Sequence, residues 1–338
     1  MTRLAVHSCG PAVTVQDRGR PGALRMGISS SGAMDMRAFR LANALVGAEP
    51  NAAVLEFGLF GGRFSVDTPA LVAVTGGNCV ISVDGRAVPP WSSFRLEAGA
   101  ILHVSTLSDA VYGYIAIENG IDVPQFMDSR ATHSRSGLGG FQGRSLMGGD
   151  QLPFRQLNAP GCPLRVSSTA ATDDRPIRVV AGPQEDYFTA AAWEVFLAEA
   201  FIVTDQRDRM GMNLEGPAIE HSKGYNIVSD AISFGSIQVP GSGSPLILLA
   251  DRQTTGGYPK IATVISSDLG RLVQMCSRRA IRFEIVSASE AEDIAIAENA
   301  AILAEIGSLQ PITAVSPLSS ETLLSLNLIG GVVAPDEF

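Results

Sequence analysis

The segment Asp251–Lys260, called here the site segment, places several reactive side-chain types close together. Its end residues, Asp251 and Lys260, carry opposite charges that suit polarising an oxygen and relaying a proton. Gly256 and Gly257 let the backbone turn and approach a ligand closely. The simpler alternative is a polar hairpin turn closed by a surface ion pair. Hydrogen-bonding side chains lie between the two charges, and they favour a binding or catalytic site: Gln253, Thr254, Thr255 and Tyr258.

Arginine side chains outside the site segment could hold an anionic part of a substrate. The region 129–150 contains three arginines among glycine and hydroxyl residues. Such a region suits a carboxylate or phosphate, although its spacing is not that of a P-loop; the alternative is a merely flexible loop. Arg207 and Arg209 are further candidate anion ligands, and pairing with Asp205 and Asp208 is the structural alternative. The predicted substrate-binding residues are Arg144, Arg207, Arg209, Gly140, Thr254 and Gly256, and the predicted catalytic residues are Asp251, Lys260, Gln253 and Tyr258.

The site segment lies between two runs that are typical of β-strands. Pro245–Ala250 is apolar and leads into it, and Ile261–Ile265 follows it. The segment is therefore expected in a loop at a strand end, where a rigid sheet can hold reactive groups. Over Ala53–Glu118, short β-branched and aromatic runs alternate with turns, and Asp84-Gly85 predicts a two-residue hairpin. We predict a mainly β fold with a few helices.

Other elements are predicted from caps, spacing and composition. Asp35 can cap a helix through its carboxylate, and Glu56, in an apolar strand, is expected to face inward and to be paired. Asn226–Val228 reads as a strand, and Ser167–Pro176 as an interdomain linker. Helices are predicted from Asp35 to Gly47, over Gln184–Ala200, over Ser267–Gln274, and from a capping box at Ser289 and Glu292 to about Ile306.

The composition excludes several classes of function. The chain has 338 residues, of which 46% are hydrophobic and 17% charged, so it can bury a sizeable core. Its net charge of −9, without a run of Lys or Arg, argues against nucleic acid and anionic membranes as partners. Scattered Cys and His residues suggest no metal site. The sequence has no signal-peptide pattern and no long apolar window, so we expect a cytoplasmic protein.

Several motifs occur in a fixed order along the chain, and together they resemble one protein family. They are Gln16–Arg20, Ser31–Asp35, Leu41–Gly47, Gly139–Leu146, Gly149-Asp150, Gly182-Pro183-Gln184, Asp208–Gly211, Ser236–Pro240 and the site segment. On these motifs the sequence is similar to the biotin-dependent carboxyltransferase family, also called allophanate hydrolase subunit 2. Its members include the carboxyltransferase region of urea carboxylase, KipA, and the C subunit of 5-oxoprolinase. The resemblance covers residues 1–288.

The resemblance implies a fold, an activity and partners. It implies two cyclophilin-like β-barrel domains, with a carboxyltransferase-like barrel over 1–170 and a second barrel over 171–288, followed by a helix and tail over 289–338. The implied activity is ATP-dependent hydrolysis of the 5-oxoproline lactam to L-glutamate. Partners would be the smaller, KipI-like B subunit and the A subunit of 5-oxoprolinase. No cofactor would be bound covalently, and the complex would use ATP.

The predicted chemistry depends on side chains that converge from distant segments. Lys260 would polarise the reacting oxygen, while Asp251, beside Gln253 or Tyr258, would orient the substrate nitrogen and relay a proton. We expect Lys260 and Asp251 to face one cavity together with guanidinium groups. One alternative is carboxyl transfer to a urea-like amide from N-carboxybiotin on a partner. Another is a non-catalytic, KipA-like regulatory role. The sequence departs from the family at Ser277-Arg278-Arg279, where Pro-Gly is usual, and in its longer tail.

Overall fold

The computed structural model describes residues 2–155, 161–167 and 174–312. Within these ranges the chain forms two β-rich halves and four α-helices. None of these helices is long and apolar enough to cross a membrane. Part of the predicted linker Ser167–Pro176, and the tail after residue 312, lie outside the described residues. The predicted domain boundaries stay predictions.

The first half consists of two antiparallel sheets that enclose an apolar core. Its strands are β1 Thr2–Cys9, β2 Thr14–Gln16, β3 Val54–Gly58, β4 Phe60–Val66, β5 Ala70–Thr75, β6 Ile81–Val83, β7 Arg86–Val88, β8 Ser92–Leu96, β9 Leu102–Thr106, β10 Tyr112–Ile117, β11 Gln151–Phe154 and β12 Leu164–Arg165. One sheet has the order β11-β1-β4-β9-β6-β7, and the other begins β2-β3-β10-β5-β8-β12. Isolated bridges, Ile121 to Phe154 and Val66 to Ala98, connect them.

Strand β10 shows how the first half packs against the second. Successive residues of a strand point to opposite faces of the sheet. Ile115 and Ile117 face the core of the first half. Tyr114 and Ala116 belong instead to the apolar cluster that includes the second half. The strand is therefore buried on both faces, which explains its almost continuous apolar sequence.

The second half is a nearly closed barrel. Its strands are β13 Ile177–Ala181, β14 Phe201–Arg207, β15 Gly211–Glu215, β16 Asp230–Ala231, β17 Ser236–Gln238, β18 Leu246–Leu248, β19 Thr255–Gly256, β20 Lys260–Val264, β21 Ala280–Ile281 and β22 Phe283–Ile285; a last strand, β23 Gln310–Pro311, returns to β12 of the first half. The main sheet has the order β21-β14-β15-β18-β17-β20-β13-β22. Its two edge strands are neighbours along the chain, so the sheet curves back on itself. The predicted mainly β class with barrel domains is confirmed.

The helices confirm some boundaries and correct others. They are α1 Met36–Leu45, α2 Ala190–Ala198, α3 Ser266–Gln274 and α4 Ala288–Gly307. Asp35 caps α1 as predicted, accepting from the Ala38 N–H at 3.1 Å. The helix predicted over Gln184–Ala200 begins only at Ala190, because Thr189 caps it. The capping box of α4 is Ser287 with Glu290, so the prediction at Ser289 was wrong by two residues.

Candidate active site

The first group of functional side chains surrounds Lys260, and we call it the lysine cluster: Lys260, Asp230, Gln184 and Gln238. Lys260 opens β20, and 1% of its surface is exposed. Its Nζ donates to Asp230 Oδ2 at 2.9 Å. Gln184 joins them twice, donating to Asp230 Oδ2 at 3.0 Å and accepting from the Lys260 backbone N–H at 3.2 Å. Gln238 lies opposite Lys260 on β17 and is buried.

Two glycines permit the close packing of the lysine cluster. A Cβ at Gly182 would lie 2.1 Å from the backbone oxygen of Lys260. A Cβ at Gly256 would lie 2.5 Å from Gln238 Nε2. Gly256 also pairs with Asp230 in the small β16–β19 ladder, which fixes the loop that carries the aspartate. The predicted substrate-binding Gly256 thus lies at this cluster, where its missing side chain leaves room for Gln238.

The charges of the lysine cluster suit polar catalysis at a surface. The Asp230 side chain is 46% exposed, whereas that of Lys260 is 2% exposed. Hydrogen bonds from Lys260 and Gln184 lower the pKa of Asp230 below its usual value. The carboxylate therefore stays ionised at neutral pH and can accept a proton or an N–H bond from solvent-facing space. A substrate oxygen placed beside Lys260 Nζ would meet a fixed ammonium donor.

The second group joins the two halves, and we call it the arginine cluster: Arg209, Asp251 and Glu56. Arg209 Nε donates to Asp251 Oδ2 at 2.9 Å, and its Nη2 donates to Asp251 Oδ1 at 3.1 Å. Nη1 donates to Glu56 on β3 of the first half, and Nη2 also reaches the Gly32 carbonyl at 2.8 Å. The guanidinium is thus shared between both halves of the chain.

Glu56 has further donors around it. It accepts from the Met34 N–H at 2.8 Å and from the Tyr114 hydroxyl at 2.9 Å. Burial raises the pKa of Glu56, while Arg209 and these donors oppose that shift only in part. Asp251 and Glu56 together outweigh the burial of Arg209, so the pKa of Arg209 is raised. The expected inward-facing, paired carboxylate at Glu56 is confirmed by this geometry.

Asp251 and Lys260 take different partners in the structure. Asp251 is buried and forms an ion pair with Arg209, so it does lie beside a guanidinium group as expected. Lys260 is held by Asp230 and has no arginine among its hydrogen-bond partners in the described residues. The two ends of the site segment therefore belong to separate networks. The catalytic roles given to Asp251 and Lys260 stay predictions.

The other predicted arginines have internal partners. Arg144 makes two hydrogen bonds of 2.8 Å to Asp150. Arg207 donates to the carbonyls of Met275 and Val273 at the end of α3. Neither Asp205 nor Asp208 holds Arg207 or Arg209, so that structural explanation was wrong. Asp208 instead accepts from the backbone of its own turn. The substrate-binding roles of these arginines stay predictions.

The remaining predicted residues lie on loops of the two halves. Tyr258 is 40% exposed, and its carbonyl accepts from Gln238 Nε2 at 3.4 Å. The Thr254 carbonyl accepts from the Ile232 N–H at 3.1 Å. Gln253 is exposed and lines a pocket with Arg207. Gly140 has a left-handed backbone with φ of 55°, and its N–H donates to the Arg130 carbonyl at 3.0 Å.

Sequence reasoning missed the partner of Lys260. Asp230 follows a segment, Asn226–Val228, that was predicted as a strand but forms none. Nothing in its immediate sequence marks this aspartate as functional. A usable signal existed at Gln184 and Gln238, because both lie in motifs that carry the family resemblance and both converge on Lys260.

Comparisons with known proteins identify the family of the chain. A family model described as carboxyltransferase domain, subdomain A and B, matches residues 26–285. The 5-oxoprolinase C subunit of Haemophilus influenzae is 36% identical over 278 residues, which are 82% of this chain and 89% of that protein. The Escherichia coli 5-oxoprolinase C subunit is 36% identical over 290 residues, 85% of this chain and 93% of that protein.

A solved structure shows the same fold. The crystal structure of Kluyveromyces lactis urea carboxylase matches with a TM-score of 0.83 and 27% identity. The match covers 92% of this chain and 30% of that one. Both halves and the two clusters lie mainly within the stretch that the family model matches. The chain belongs to the carboxyltransferase domain family, subdomains A and B.

Proposed function

We propose that the chain is the C subunit of an ATP-dependent 5-oxoprolinase, which opens the 5-oxoproline lactam to give L-glutamate. The observation that carries this proposal is the length of the similarity. The chain matches 89% and 93% of two proteins named as C subunits of 5-oxoprolinase. It matches 30% of the urea carboxylase chain, at lower identity. The proposed partners are the smaller, KipI-like B subunit and the A subunit, and the complex uses ATP.

The lysine cluster is the proposed reaction centre. A lactam amide is stabilised by resonance, so its opening needs a donor at the carbonyl oxygen and an acceptor for the proton. Lys260 would donate to the oxygen as negative charge develops there. Asp230 would accept a proton from the attacking water as the new C–O bond forms and pass it to the ring nitrogen as the C–N bond breaks, and Gln184 would keep the carboxylate in place. Loss of one such donor costs about a hundredfold or more in rate.

Asp251 belongs to the arginine cluster, so its proposed role differs from the one predicted from the sequence. Both Asp251 oxygens accept from Arg209, so the carboxylate is positioned for contacts on its remaining lone pairs. Gln253, two residues later, would lie beside a substrate nitrogen, and Tyr258 would line the rim near Lys260. In this proposal the arginine cluster supports the reaction centre from the boundary between the halves.

A second candidate function is carboxyl transfer to a urea-like amide. The family description and the match to urea carboxylase favour it. Lys260 would then bind the carboxyl oxygens, and a partner would deliver N-carboxybiotin. The same Lys260–Asp230 pair would serve, because both reactions place a polarised carbonyl oxygen beside an amide nitrogen.

Reconstitution distinguishes these functions. The chain is combined with its two partner proteins, and ATP-dependent release of glutamate from 5-oxoproline is measured. A parallel assay offers urea with a biotinylated carrier and its carboxylase. We expect glutamate only when all three proteins are present. Carboxylated urea without glutamate would replace the proposal by the second function. Full glutamate release in the absence of this chain would instead support a non-catalytic, regulatory role for the chain.

A further inference from the structure

Helix α4 is fixed to the protein along one side. Arg37 of α1 donates through Nε to Glu305 Oε2 at 3.0 Å, and Arg40 Nη1 donates to Asn299 Oδ1 at 2.8 Å. Ile302 is the buried residue of the helix, and α3 also lies against α4. The family model ends at residue 285, so α4 follows the matched stretch. The helix therefore needs an explanation of its own.

The opposite side of α4 is apolar and is not covered by any of the described residues. Ile296 is 70% exposed and Leu303 is 53% exposed. They are seven positions apart, which places them on the same side of a helix. We call this side the outer face; it consists of the exposed, uncharged residues Ile296, Ala297, Ala300, Leu303, Ala304 and Gly307. A helix that is apolar on so much of its circumference is normally covered on both sides.

The sequence that follows the described residues contains an apolar segment of matching character. Residues 313–338 come after Ile312. Within them, Leu323–Val333, called here the tail segment, has Leu, Ile or Val at seven positions and no charged residue. The intervening Thr313–Thr322 is rich in serine and threonine. Because apolar side chains gain free energy by leaving water, the tail segment favours contact with an apolar surface such as the outer face.

The residue from which the tail departs is held close to α4. Strand β23 pairs with β12 shortly after the helix ends at Gly307, and the Ile312 N–H donates to the Pro163 carbonyl at 2.8 Å. Ile312 is therefore at most about 17 Å from the end of α4, since a residue spans at most about 3.4 Å. Ile296 lies about 17 Å further along the helix. Thr313–Thr322 can span about 34 Å, so the tail segment can reach the whole outer face.

We propose that the tail segment packs on the outer face of α4 of the same chain. A tethered segment meets its site at an effective concentration on the order of millimolar, so modest apolar contacts hold it there. A second copy of the chain fits this face less well. The first turns of α4 expose Glu292 and Asp293, and the helix contains no Lys or Arg. Two paired α4 helices would bring these carboxylates against each other when parallel, or near the negative end of the partner helix when antiparallel.

Photo-crosslinking from Leu303 identifies what covers the outer face. p-Benzoylphenylalanine replaces Leu303 in the full-length chain, and the products are separated by size and mapped by mass spectrometry. We expect a product of monomer size in which position 303 is joined to a peptide from Leu323–Val333. The same replacement at Val80, which is 67% exposed in the first half, is the control and should give no such product. A product of dimer size, with a second copy on the face, or the lack of any crosslink to the tail segment would overturn the proposal.

Limited proteolysis of Ile296→Asp and Val80→Asp measures the strength of the contact. The two native side chains are similarly exposed, 70% and 67%, so neither substitution disturbs a core. An aspartate on the outer face removes apolar burial and should raise the undocked population of the tail segment about tenfold or more. At low protease, chymotrypsin cleavage within Leu323–Val333 follows that population.

Cleavage should therefore accelerate about tenfold or more in Ile296→Asp and stay at the wild-type rate in Val80→Asp. Equal cleavage rates in wild type and Ile296→Asp would show that the tail segment is not held on α4 and would overturn the proposal. Neither assay needs ATP, substrate or partner proteins, so the result is independent of the proposed 5-oxoprolinase activity.

Discussion

At the scale of single residues, Lys260 is buried while its partner reaches solvent. A buried ammonium needs a charged or hydrogen-bonding partner. Asp230 supplies the charge and keeps 46% of its side chain exposed. Lysine occurs only at positions 223 and 260. The charge of Lys260 and its position beside a predicted strand could both be recognised from the sequence. Asp230 could not, because it lies 30 positions away in a loop whose path depends on the β16–β19 pairing.

Asp268 gives a prediction about pH at the residue scale. It accepts from the backbone and side chain of Arg178, at 2.7 and 2.6 Å. Burial alone would raise the pKa of Asp268, but the hydrogen bonds from Arg178 outweigh it and lower the pKa. The unfolded pKa is about 3.9, so the contact stabilises the fold above that pH and is lost as the pH falls through the lower, folded value.

Asp268→Asn should therefore lower the free energy of unfolding at pH 7, and the difference from wild type should shrink at acidic pH. Urea denaturation at pH 7 and at stepwise lower pH values, down through the folded pKa, measures both quantities. A difference that stays constant across this range would show that the charge of Asp268 contributes nothing to stability.

At the scale of elements, local signals predicted some boundaries well. The Asp35 cap and the Asp84-Gly85 hairpin depend on neighbouring residues alone, and both are present in the structure. Thr189 has an extended backbone and caps α2, so the helix predicted over Gln184–Ala200 starts later, and Gln184 lies outside it at the lysine cluster. The capping box is Ser287 with Glu290, two residues before the predicted pair. Both caps are contacts between residues three positions apart, so the sequence offered competing local signals and the structure selects between them.

The glycine-containing region 129–150 gives a prediction at the element scale. Gly137 and Gly140 both have left-handed backbones, with φ of 63° and 55°. A Cβ at Gly140 would lie 1.9 Å from Thr132 Oγ1, whereas at Gly137 nothing lies within 4 Å. Gly137→Ala should destabilise the protein by about 1 kcal/mol, the cost of a left-handed alanine. Gly140→Ala should cost about 1–3 kcal/mol more, because it also displaces Thr132.

Denaturation by urea compares the two alanine variants directly. Equal losses would mean that the loop moves freely away from Thr132. The close packing of Gly140 would then not position the neighbouring Arg144, and its predicted substrate role would lose structural support.

At the scale of the whole molecule, polar contacts of Arg209 and Gln274 join the halves. Arg209 bridges Asp251 to Glu56, and Gln274 accepts from Tyr112 N–H at 2.8 Å and donates to Asp35 at 3.0 Å. The family resemblance and the β-rich composition predicted the barrels. The junction could not be predicted, because Arg209 and Glu56 are 153 positions apart.

Arg209→Met tests the junction. The substitution leaves Glu56 and Asp251 buried without their shared cation, so it should destabilise the protein by about 3–5 kcal/mol. Chemical denaturation gives the value, and loss of a single transition would show that the halves now unfold separately. Met is chosen because it keeps an unbranched apolar stem and removes the guanidinium group. A change below about 0.5 kcal/mol, as at an ordinary surface site, would contradict the role of Arg209.

The turnover of Lys260→Met in the reconstituted complex tests the central claim most directly. Methionine keeps the buried apolar stem of Lys260 and removes its charge. Because Asp230 is partly exposed and can hydrogen-bond to solvent, the thermal midpoint should stay close to that of wild type. Lys223→Met, at a lysine whose side chain is 54% exposed, is the matched control. The proposal predicts that ATP-dependent glutamate release falls about a hundredfold or more in Lys260→Met and is unchanged in Lys223→Met. Full turnover by a folded Lys260→Met complex would contradict it.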